Sequence, residues 1–494
     1  MAAAESARAR PSPRGRASRG VLLAALLSAS TAHAQLPEPV ALALTQAGIP
    51  DSHIGVVVAE IGNPAPLLAH GETRSLNPAS VMKLVTTLAA LELLGPAHTF
   101  RTRVEVEGEI RDGVLVGNLI LRGGGDPALT RERFWSLLRE VRARGIREIR
   151  GDLILDDRFY ELPPIDPAAF DQAPLRPYNA PPAALLANFN SIGLRLVPDG
   201  GAVRAGLEVE QALPLDNRLA LTEAPCNGLR EQLDLRVEEG VLRLAGRYPV
   251  ACGEQVLALN LLAPPSTVAV WFRALWQELG GRHEGGVRVC AAGDEARLLL
   301  EHESPPLALL VRDINKHSNN VMAKMLFLNL GTARFGAPAT WDKGARAVRE
   351  WLTENGLWSE EMVFDNGSGL SRIERISAAS LNRLLQYAAA RPAYYEFAAS
   401  LPATGLEGTR KNPLNGSPLA GQSWLKTGSL NGVRGLAGYV LGADGRRRAL
   451  TLLINHRNAQ AAGPVQDALL AWTAGLGGDV TATPPSAAGS EFKH

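Results

Sequence analysis

The sequence predicts an α+β fold in which an antiparallel sheet flanked by helices is interrupted by two inserted, smaller β-containing domains. Strand-like segments lie near both ends of the chain, at 53–61 and 448–455, and helical segments lie between them, so the two ends can close one sheet. Within 101–302, short strands and amphipathic helices enclose an alternating apolar and polar stretch at 203–262. At 494 residues the chain is long enough for two or three domains.

The first part of the chain has the pattern of a secretory signal peptide. Five arginines precede a short apolar run at 21–27, and Ala32-His33-Ala34 has the small-x-small pattern of a cleavage site. The apolar run is shorter than the roughly 20 residues that span a bilayer, and no later stretch approaches that length. We therefore expect residues 1–34 to be removed on export, and we expect no transmembrane segment.

The remaining sequence carries 46 basic and 49 acidic residues, a formal charge of −3, and has no basic blocks. This charge balance makes nucleic acid an unexpected partner. The histidines are scattered without the spacing of metal ligands, so no metal is expected. The triple glycine at 123–125 resembles a phosphate-binding loop only superficially, because no Lys-Ser/Thr pair follows it.

Three cysteines, Cys226, Cys252 and Cys290, remain in the exported chain. One disulfide and one free thiol is the natural expectation for an exported protein, and three buried free thiols are the alternative. Cys226 and Cys252 flank a predicted hairpin of 233–237 and 241–248, so the ends of those strands should meet. We predict a Cys226–Cys252 disulfide that leaves Cys290 free.

The parent domain is predicted to comprise residues 35–100 and 303–480. Its first strand, 53–61, is a nearly continuous apolar run that we expect to be buried, with 67–69 as a hairpin partner. A helix follows, because Asn77 is a good N-cap and the proline after it suits the first helical position. The remaining predicted helices span 307–330, 341–355, 378–389 and 464–476, and the remaining strands span 424–429, 435–441 and 448–455.

Residues 101–202 and 263–302 are predicted to form an inserted α+β domain, and residues 203–262 a β-rich domain nested within it. Turns in the nested domain are expected at Asp216-Asn217 and at 238–240. A tail at 481–494, rich in Ala, Pro, Ser and Gly, is predicted to be disordered. The predicted elements of the inserted domain are strands at 101–107, 114–121, 151–156 and 286–290, a tight turn at 123–127, and helices at 129–143 and 266–279.

Lysine is scarce in this sequence, with 7 among the 51 basic residues, yet two lysines lie where an acyl-transfer enzyme would need them. Ser80 and Lys83 are spaced i and i+3 near a helix start and so share one face. A desolvated lysine can lose its proton and activate a neighbouring serine, whereas arginine stays charged. The S-x-x-K pattern alone is weak, because Ser423 and Lys426 form a second match.

Two further motifs follow in a set order. Ser318-Asn319-Asn320 lies in a polar gap before an apolar segment, and Lys426-Thr427-Gly428 lies in a predicted strand. S-x-x-K, S-x-N and K-T-G in this order are typical of penicillin-recognising serine enzymes. Ser318 comes 238 residues after Ser80, and Lys426 comes 108 residues after Ser318. The first interval is far longer than a minimal catalytic domain requires, so the inserted domains belong there.

With these motifs, the chain resembles the class C low-molecular-mass penicillin-binding proteins, the serine-type D-alanyl-D-alanine carboxypeptidase/endopeptidase family, peptidase S13. The resemblance covers nearly all of the chain after residue 34. One departure is Asn366, an extra residue in a motif that the family usually writes D-G-S-G-L-S-R. The supporting segments are GGGDP at 123–127, GDLILD at 151–156, APPAA at 180–184, DNGSGLSR at 365–372 and KTGSLNGVRGLAG at 426–438.

The resemblance implies a penicillin-binding/β-lactamase-like catalytic domain and a role for each motif residue. Ser80 would be the nucleophile and Lys83 its general base. Ser318 would relay a proton to the leaving amine, and Asn320 would hold the acyl-side amide of the substrate. The backbone N–H groups of Ser80 and Ser429 would form the oxyanion hole.

The same resemblance implies the substrate contacts. Lys426 and Thr427 would bind the terminal carboxylate of D-alanine, and Gly428 would let a ligand backbone come close. Arg372 and Asn431 would contact the stem peptide, although a loop salt bridge is an equal alternative for Arg372. The implied enzyme is periplasmic, needs no cofactor, and removes terminal D-alanine from peptidoglycan stem peptides or cleaves their D-Ala–diamino-acid cross-links. β-Lactam antibiotics would acylate it.

Two alternatives share these motifs. A β-lactamase must hydrolyse the acyl-enzyme quickly, and the class A solution adds a glutamate that positions water. The nearby candidate, Glu161, precedes Leu162-Pro163-Pro164 and lacks the expected asparagine. An inactive cell-wall-binding scaffold is the second alternative, against which the intact S-x-x-K, S-x-N and K-T-G motifs argue.

Overall fold

The computed structural model describes residues 35–63, 65–412, 414 and 416–475. The predicted signal peptide at 1–34, the last residues of the predicted parent domain at 476–480 and the predicted tail at 481–494 lie outside the described residues.

The helices and strands of the described part of the chain are numbered in chain order. The ten α-helices are α1 (Glu38–Ala47), α2 (Lys83–Leu93), α3 (Arg131–Ala143), α4 (Pro264–Glu278), α5 (Leu307–His317), α6 (Asn320–Phe335), α7 (Trp341–Glu354), α8 (Ala378–Ala389), α9 (Tyr394–Ala399) and α10 (Gly463–Thr473). The eighteen strands are β1 (Ile54–Glu60), β2 (Pro66–His70), β3 (Arg101–Arg111), β4 (Val114–Gly123), β5 (Glu148–Ile149), β6 (Leu153–Asp156), β7 (Ile192–Asp199), β8 (Ala202–Leu207), β9 (Leu215–Thr222), β10 (Leu233–Glu238), β11 (Val241–Pro249), β12 (Gln255–Leu259), β13 (Arg282–His283), β14 (Val287–Val289), β15 (Arg297–Glu303), β16 (Ser423–Leu430), β17 (Val433–Leu441) and β18 (Arg447–Asn455).

The central sheet joins the two ends of the chain. Its five strands lie in the order β16-β17-β18-β1-β2, and each neighbouring pair is antiparallel. In the pairing of β1 with β18, Ile54 lies opposite Ile454 and Glu60 opposite Arg448. Every β1 residue before Glu60 is buried, because α8 with its neighbouring helices covers one face of the sheet and α1 with α10 covers the other. The predicted α+β fold, closed by N- and C-terminal strands, is confirmed.

The inserted region leaves the catalytic part of the chain and returns to it at neighbouring residues. Arg101, the first residue of β3, lies opposite Glu303, the last residue of β15. The N–H of Ser304 donates to the carbonyl of Phe100 (2.8 Å), and the N–H of Phe100 donates to the Ser304 hydroxyl (3.0 Å). An insertion of about two hundred residues therefore begins and ends at one strand pair. It also packs against α6, where the Tyr160 hydroxyl donates to Asn329 Oδ1 (2.8 Å).

We propose that residues 101–202 with 263–302 form one inserted domain and that residues 203–262 form a nested domain. A seven-stranded sheet of β3–β6 and β13–β15 lies in the first, and the sheet β10-β11-β9 lies in the second, which supports this division. One further sheet of the inserted region, β12-β7-β8, crosses the proposed boundary at residue 202. Its strand β7 lies before that boundary and pairs with β8, which begins at it, in an antiparallel hairpin.

Two local sequence predictions differ from the structure. The predicted turn at Asp216-Asn217 is wrong, because both residues lie within β9, which pairs in parallel with β11. The predicted helix after Asn77 begins later, as a 3₁₀ turn at 79–82 followed by α2. Asn77 accepts a hydrogen bond from the N–H of Ala79 (2.8 Å), and Ala79 has a φ of 48°, which bends the backbone off the helical path.

The predicted disulfide is confirmed. Cys226 and Cys252 are bonded, with Cα atoms 4.9 Å apart, and Cys290 is free. Cys252 ends the 3₁₀ turn that follows β11, and Cys226 precedes β10, so the bond lies at the outer ends of the β10–β11 hairpin.

We expect the double variant Cys226→Ala/Cys252→Ala to loosen this hairpin. Opening a loop with a sequence separation of 26 residues removes about 3–4 kcal/mol of stability in the chain-entropy account, because the unfolded segment regains its freedom. Hydrogen exchange of the amides in β10 and β11 should become faster than in the wild type. The Cys290→Ala variant is the matched control and should leave that exchange unchanged, and equal exchange in the double variant would contradict this prediction.

Candidate active site

Ser80 lies in a tight turn that glycines allow to approach the sheet. The turn precedes α2 and packs against β16, where a Cβ on Gly428 would lie 2.5 Å from the carbonyl oxygen of Pro78. Gly369, from a neighbouring loop, lies against the same turn and has a φ of 79°. Gly428 therefore makes room for the protein's own serine turn, whereas the sequence led us to expect that it makes room for a ligand. Ser80 itself is partly exposed.

Lys83 lies one turn further along and is completely buried. Its Nζ donates to the Ser80 hydroxyl (2.9 Å), to Asn320 Oδ1 (2.6 Å) and to the carbonyl oxygen of Ser368. A neutral lysine has two N–H bonds and one lone pair. If Asn320 and Ser368 take the two N–H bonds, the lone pair points at the Ser80 hydroxyl, which is the geometry a general base requires.

The protonation of Lys83 is tuned by its surroundings. Burial lowers its pKa well below the ordinary range, and the nearby charge of Lys426 lowers it further. The carboxylate of Glu374 acts in the opposite direction and raises the pKa. The strong depression favours a neutral amine, which can accept a proton from Ser80.

Ser318 and Asn320 lie at the junction of α5 and α6, in the polar gap that the sequence shows within the predicted helical segment of 307–330. Ser318 ends α5 in the left-handed conformation (φ 55°, ψ 37°), and Asn319 caps α6 by accepting the N–H of Met322 (3.1 Å). Ser318 and the next helix start are thus turned towards the site. Because the Asn320 oxygen accepts from Lys83, its NH₂ group is the end left to donate to a ligand.

Lys426 and Thr427 lie on β16, an edge strand of the sheet. Lys426 is completely buried, and its Nζ donates to the Ser318 hydroxyl (2.9 Å) and to the carbonyl of Thr427 (2.7 Å). Burial lowers the pKa of Lys426 to about 7. The Thr427 hydroxyl donates to the Thr409 hydroxyl (2.9 Å). The S-x-N and K-T-G motifs are therefore joined by a direct hydrogen bond.

The backbone of β16 presents donors at its open edge. The N–H of Leu425 donates to the carbonyl of Pro402 (2.9 Å), on the side away from β17. Backbone groups alternate along a strand, so the N–H groups of Thr427 and Ser429 point to that same side. Ser429 follows the glycine that packs against the Ser80 turn, so its N–H lies at the site.

Arg372 and Asn431 are exposed at the rim of the site. The guanidinium carbon of Arg372 lies 4.3 Å from the ring centre of Phe170, which comes from the inserted region and packs against Ala79. Among the described residues Arg372 forms no ion pair, so the alternative of a loop salt bridge is not observed. Asn431 lies in the turn between β16 and β17.

The extra residue, Asn366, is built into the loop that carries Ser368. Its Nδ2 donates to Asp365 Oδ2 (3.0 Å) and to the Leu370 carbonyl (3.1 Å). Its Oδ1 accepts from the N–H (3.1 Å) and the hydroxyl (2.5 Å) of Ser368. The departure from the family pattern therefore supports the loop whose Ser368 carbonyl binds Lys83.

Sequence reasoning missed two buried charges beside the site. Glu374 follows the DNGSGLSR segment and is completely buried, and burial raises its pKa to about 7. Lys324 lies one turn after Asn320 on α6, and burial lowers its pKa to about 8. The scarcity of lysine was a usable signal for Lys324, whereas a loop glutamate looks like an ordinary solvated charge.

No group of three or more His, Cys, Asp or Glu side chains in the described part of the chain could hold a metal ion. A search of the same residues finds no helix with the length and apolar character needed to cross a membrane.

Comparisons with known proteins agree with the motif reading. The sequence model of the D-Ala-D-Ala carboxypeptidase 3 (S13) family matches residues 36–476. A D-alanyl-D-alanine carboxypeptidase of Actinomadura sp. (strain R39) is 31% identical over 470 residues, covering 90% of this chain and 86% of the relative. D-alanyl-D-alanine carboxypeptidase DacB of Haemophilus influenzae is 28% identical over 427 residues, covering 83% and 87%.

A solved structure agrees as well. Penicillin binding protein 4 (dacB) from H. influenzae superposes with a TM-score of 0.73 at 26% identity, covering 87% of this chain and 99% of that chain. A second structure of that protein, complexed with a β-lactam, gives a TM-score of 0.69. The predicted resemblance is confirmed, and the chain belongs to the D-Ala-D-Ala carboxypeptidase 3 (S13) family.

Proposed function

We propose that this protein is a periplasmic serine peptidase that removes the terminal D-alanine from peptidoglycan stem peptides, or cleaves their D-Ala–diamino-acid cross-links, through an acyl-enzyme on Ser80. The observation that carries the proposal is the buried Lys83 Nζ, held between the Ser80 hydroxyl, Asn320 Oδ1 and the Ser368 carbonyl. The named activities of the relatives, D-alanyl-D-alanine carboxypeptidases, support the substrate class.

Acylation begins when neutral Lys83 takes the proton of the Ser80 hydroxyl. The Ser80 oxygen attacks the carbonyl carbon of the penultimate D-alanine, and the oxyanion that forms accepts the N–H groups of Ser80 and Ser429. Collapse breaks the C–N bond. The proton on Lys83 then passes to the leaving amine through the Ser318 hydroxyl, which Lys426 holds. Terminal D-alanine leaves, and an ester remains on Ser80.

Deacylation reverses these roles. Lys83, neutral again, takes a proton from a water that attacks the ester carbonyl, and the tetrahedral intermediate uses the same two N–H groups. Its collapse returns the proton to the Ser80 oxygen and releases the shortened stem peptide.

Substrate binding uses the donors that remain. The terminal carboxylate would accept from Lys426 and Thr427, and a bound anion would raise the Lys426 pKa from about 7 and keep the ammonium charged. Asn320 would donate its NH₂ group to the acyl-side amide. Arg372 and Asn431, at the rim, would contact the stem peptide further from the cleaved bond.

Penicillins fit the same site, because they carry a reactive amide and a carboxylate in a comparable arrangement. The β-lactam complex of the H. influenzae relative supports this extension. The signal-peptide pattern and the Cys226–Cys252 disulfide support a periplasmic location, since disulfides persist in oxidising compartments. The named relatives are carboxypeptidases, so the β-lactamase and scaffold alternatives are not favoured.

Digestion of purified muropeptides tests the proposed activity directly. We expect the protein to release free D-alanine from pentapeptide stems, or to convert cross-linked dimers to monomers, as followed by mass spectrometry of the products. A protein that turns over nitrocefin rapidly and leaves both muropeptides intact would instead be a β-lactamase, and one that is not acylated at all would be a scaffold.

A fluorescent penicillin should label Ser80, and the Ser80→Ala variant should fold but remain unlabelled, because only the nucleophile is lost. Ser423→Ala is the matched control, since Ser423 begins the second S-x-x-K pattern. Ser423 is buried and donates to the Thr404 hydroxyl (2.7 Å), and in a strand it faces away from Lys426. Its variant should keep the label. Label retained by Ser80→Ala would disprove the assignment of the nucleophile.

The Lys426→Ala variant should cleave D-Ala-D-Ala peptides and cross-linked dimers about 10²-fold more slowly or worse, the scale of one lost charge-assisted contact. Lys426→Arg should recover only part of the rate, because a planar guanidinium cannot replace a compact ammonium in a buried site. Lys343→Ala, on α7, is the control and should retain the rate, because the Lys343 ammonium binds the carbonyls of Gly336 (2.9 Å) and Pro338 (2.7 Å) and not the site. Wild-type cleavage by Lys426→Ala would refute the carboxylate role.

A further inference from the structure

The carboxylate of Glu374 is enclosed by the loop that precedes it. Its Oε1 accepts the N–H groups of Gly367 (2.8 Å), Asn366 (3.1 Å) and, more weakly, Asp365 (3.4 Å). Its Oε2 is buried and has no hydrogen-bond partner among the described residues. Successive N–H groups directed at one carboxyl oxygen form a concave nest that needs a hydrogen-bond acceptor at its centre.

The same loop presents its carbonyl groups to α2. The Gly367 carbonyl accepts from the Thr86 hydroxyl (2.6 Å), and the next carbonyl, that of Ser368, accepts from Lys83 Nζ. Gly367 and Gly369 both have positive φ, 69° and 79°, which turns N–H groups inward and carbonyl groups towards the site. Without an acceptor at the centre, the inward N–H groups would be buried and unsatisfied.

We propose that Glu374 is a positioning residue for Lys83: its buried carboxylate fixes the loop whose Ser368 carbonyl orients the Lys83 amine towards Ser80. The proposal rests on the proposed role of Lys83 as the general base. Glu374 touches neither substrate nor the reacting atoms, and it acts through the loop backbone and through its charge.

The charge of Glu374 adds a second effect. Three charged groups face it: Lys83 from α2, Lys324 from α6 and Asp365 from its own loop. Its negative charge raises the Lys83 pKa and so opposes the lowering that burial and Lys426 cause. Because burial raises the Glu374 pKa to about 7, this opposing charge is itself lost as the pH falls below neutrality.

Two substitutions separate the role of Glu374 as a hydrogen-bond acceptor for the loop from the role of its charge. For each variant, the rate of acylation by a fluorescent penicillin is measured between pH 5 and pH 9. Glu374→Gln keeps an oxygen for the N–H groups but removes the charge. We expect its rate at the optimum to stay within about threefold of the wild type. The part of the acid limb above about pH 7, where wild-type Glu374 carries its charge, should move to lower pH because Lys83 loses a nearby anion. Glu374→Ala removes the acceptor, so we expect the rate to fall about tenfold or more at every pH.

Glu361→Gln is the matched control. Glu361 accepts from the Ser377 hydroxyl (2.7 Å) and the Ser380 hydroxyl (2.5 Å) at the start of α8 and does not face Lys83. Its pH profile should match that of the wild type. Should Glu374→Ala fail to fold, the pH profile of Glu374→Gln still shows whether the protonation of Lys83 depends on Glu374.

Thermal unfolding gives a readout that is independent of activity. The folded-state pKa of Glu374 lies above its unfolded value, so the wild type loses stability as the pH rises through about 7, and a glutamine does not. The Tm of Glu374→Gln minus the Tm of the wild type should therefore be more positive at pH 8 than at pH 5.

Specific outcomes would overturn the inference. Wild-type rates and profiles in both Glu374 variants would show that the loop does not need this carboxylate. A uniform loss in Glu374→Gln with an unmoved acid limb would reduce Glu374 to a packing residue. Failure of the proposed function looks different, since the wild-type protein itself would then not be labelled at Ser80.

Discussion

The burial of Lys83 among three oxygen acceptors is the constraint on which the rest of the site depends. Each acceptor comes from a different element: Ser80 from the turn before α2, Asn320 from the start of α6, and Ser368 from the loop before α8. An ammonium in such a place is costly unless all its donors are used, and a neutral amine needs its two N–H bonds fixed for its lone pair to be aimed. The fold therefore has to bring these three elements to one point.

A second buried lysine, Lys426, lies on the sheet side of the same site. Lys426 holds Ser318 and, by its charge, makes protonation of the Lys83 amine less favourable. The two lysines thus influence each other through space, although they lie in motifs more than three hundred residues apart. Glu374 and Lys324 extend this cluster behind the site, so the protonation of the proposed base is a property of several elements together.

The sequence allowed the motif residues, the terminal strands and the disulfide to be predicted, because each carries a local signal: residue spacing, an apolar run, or two cysteines flanking a hairpin. It did not reveal features imposed by distant contacts. The positive φ of Ala79 accompanies close packing of Gly369 against the same turn. Asp216 and Asn217 have turn-like composition, yet parallel pairing with β11 holds them extended. Glu374 is not recognisable, because only the folded loop converts a surface-type residue into a buried anion.

The pairing of β1 with β18 determines how late in synthesis the central sheet can be completed. A chain that emerges from its N-terminus exposes β1 nearly four hundred residues before β18, the strand that must lie beside it. The inserted region, whose first and last strands pair with each other, has all the strands of its sheets much earlier. The turn that carries Ser80 is therefore synthesised early but receives β16, with Lys426, only when the last fifth of the chain has been made. On the proposed roles of Ser80 and Lys426, a partly synthesised chain therefore has no complete site and cannot cleave peptidoglycan.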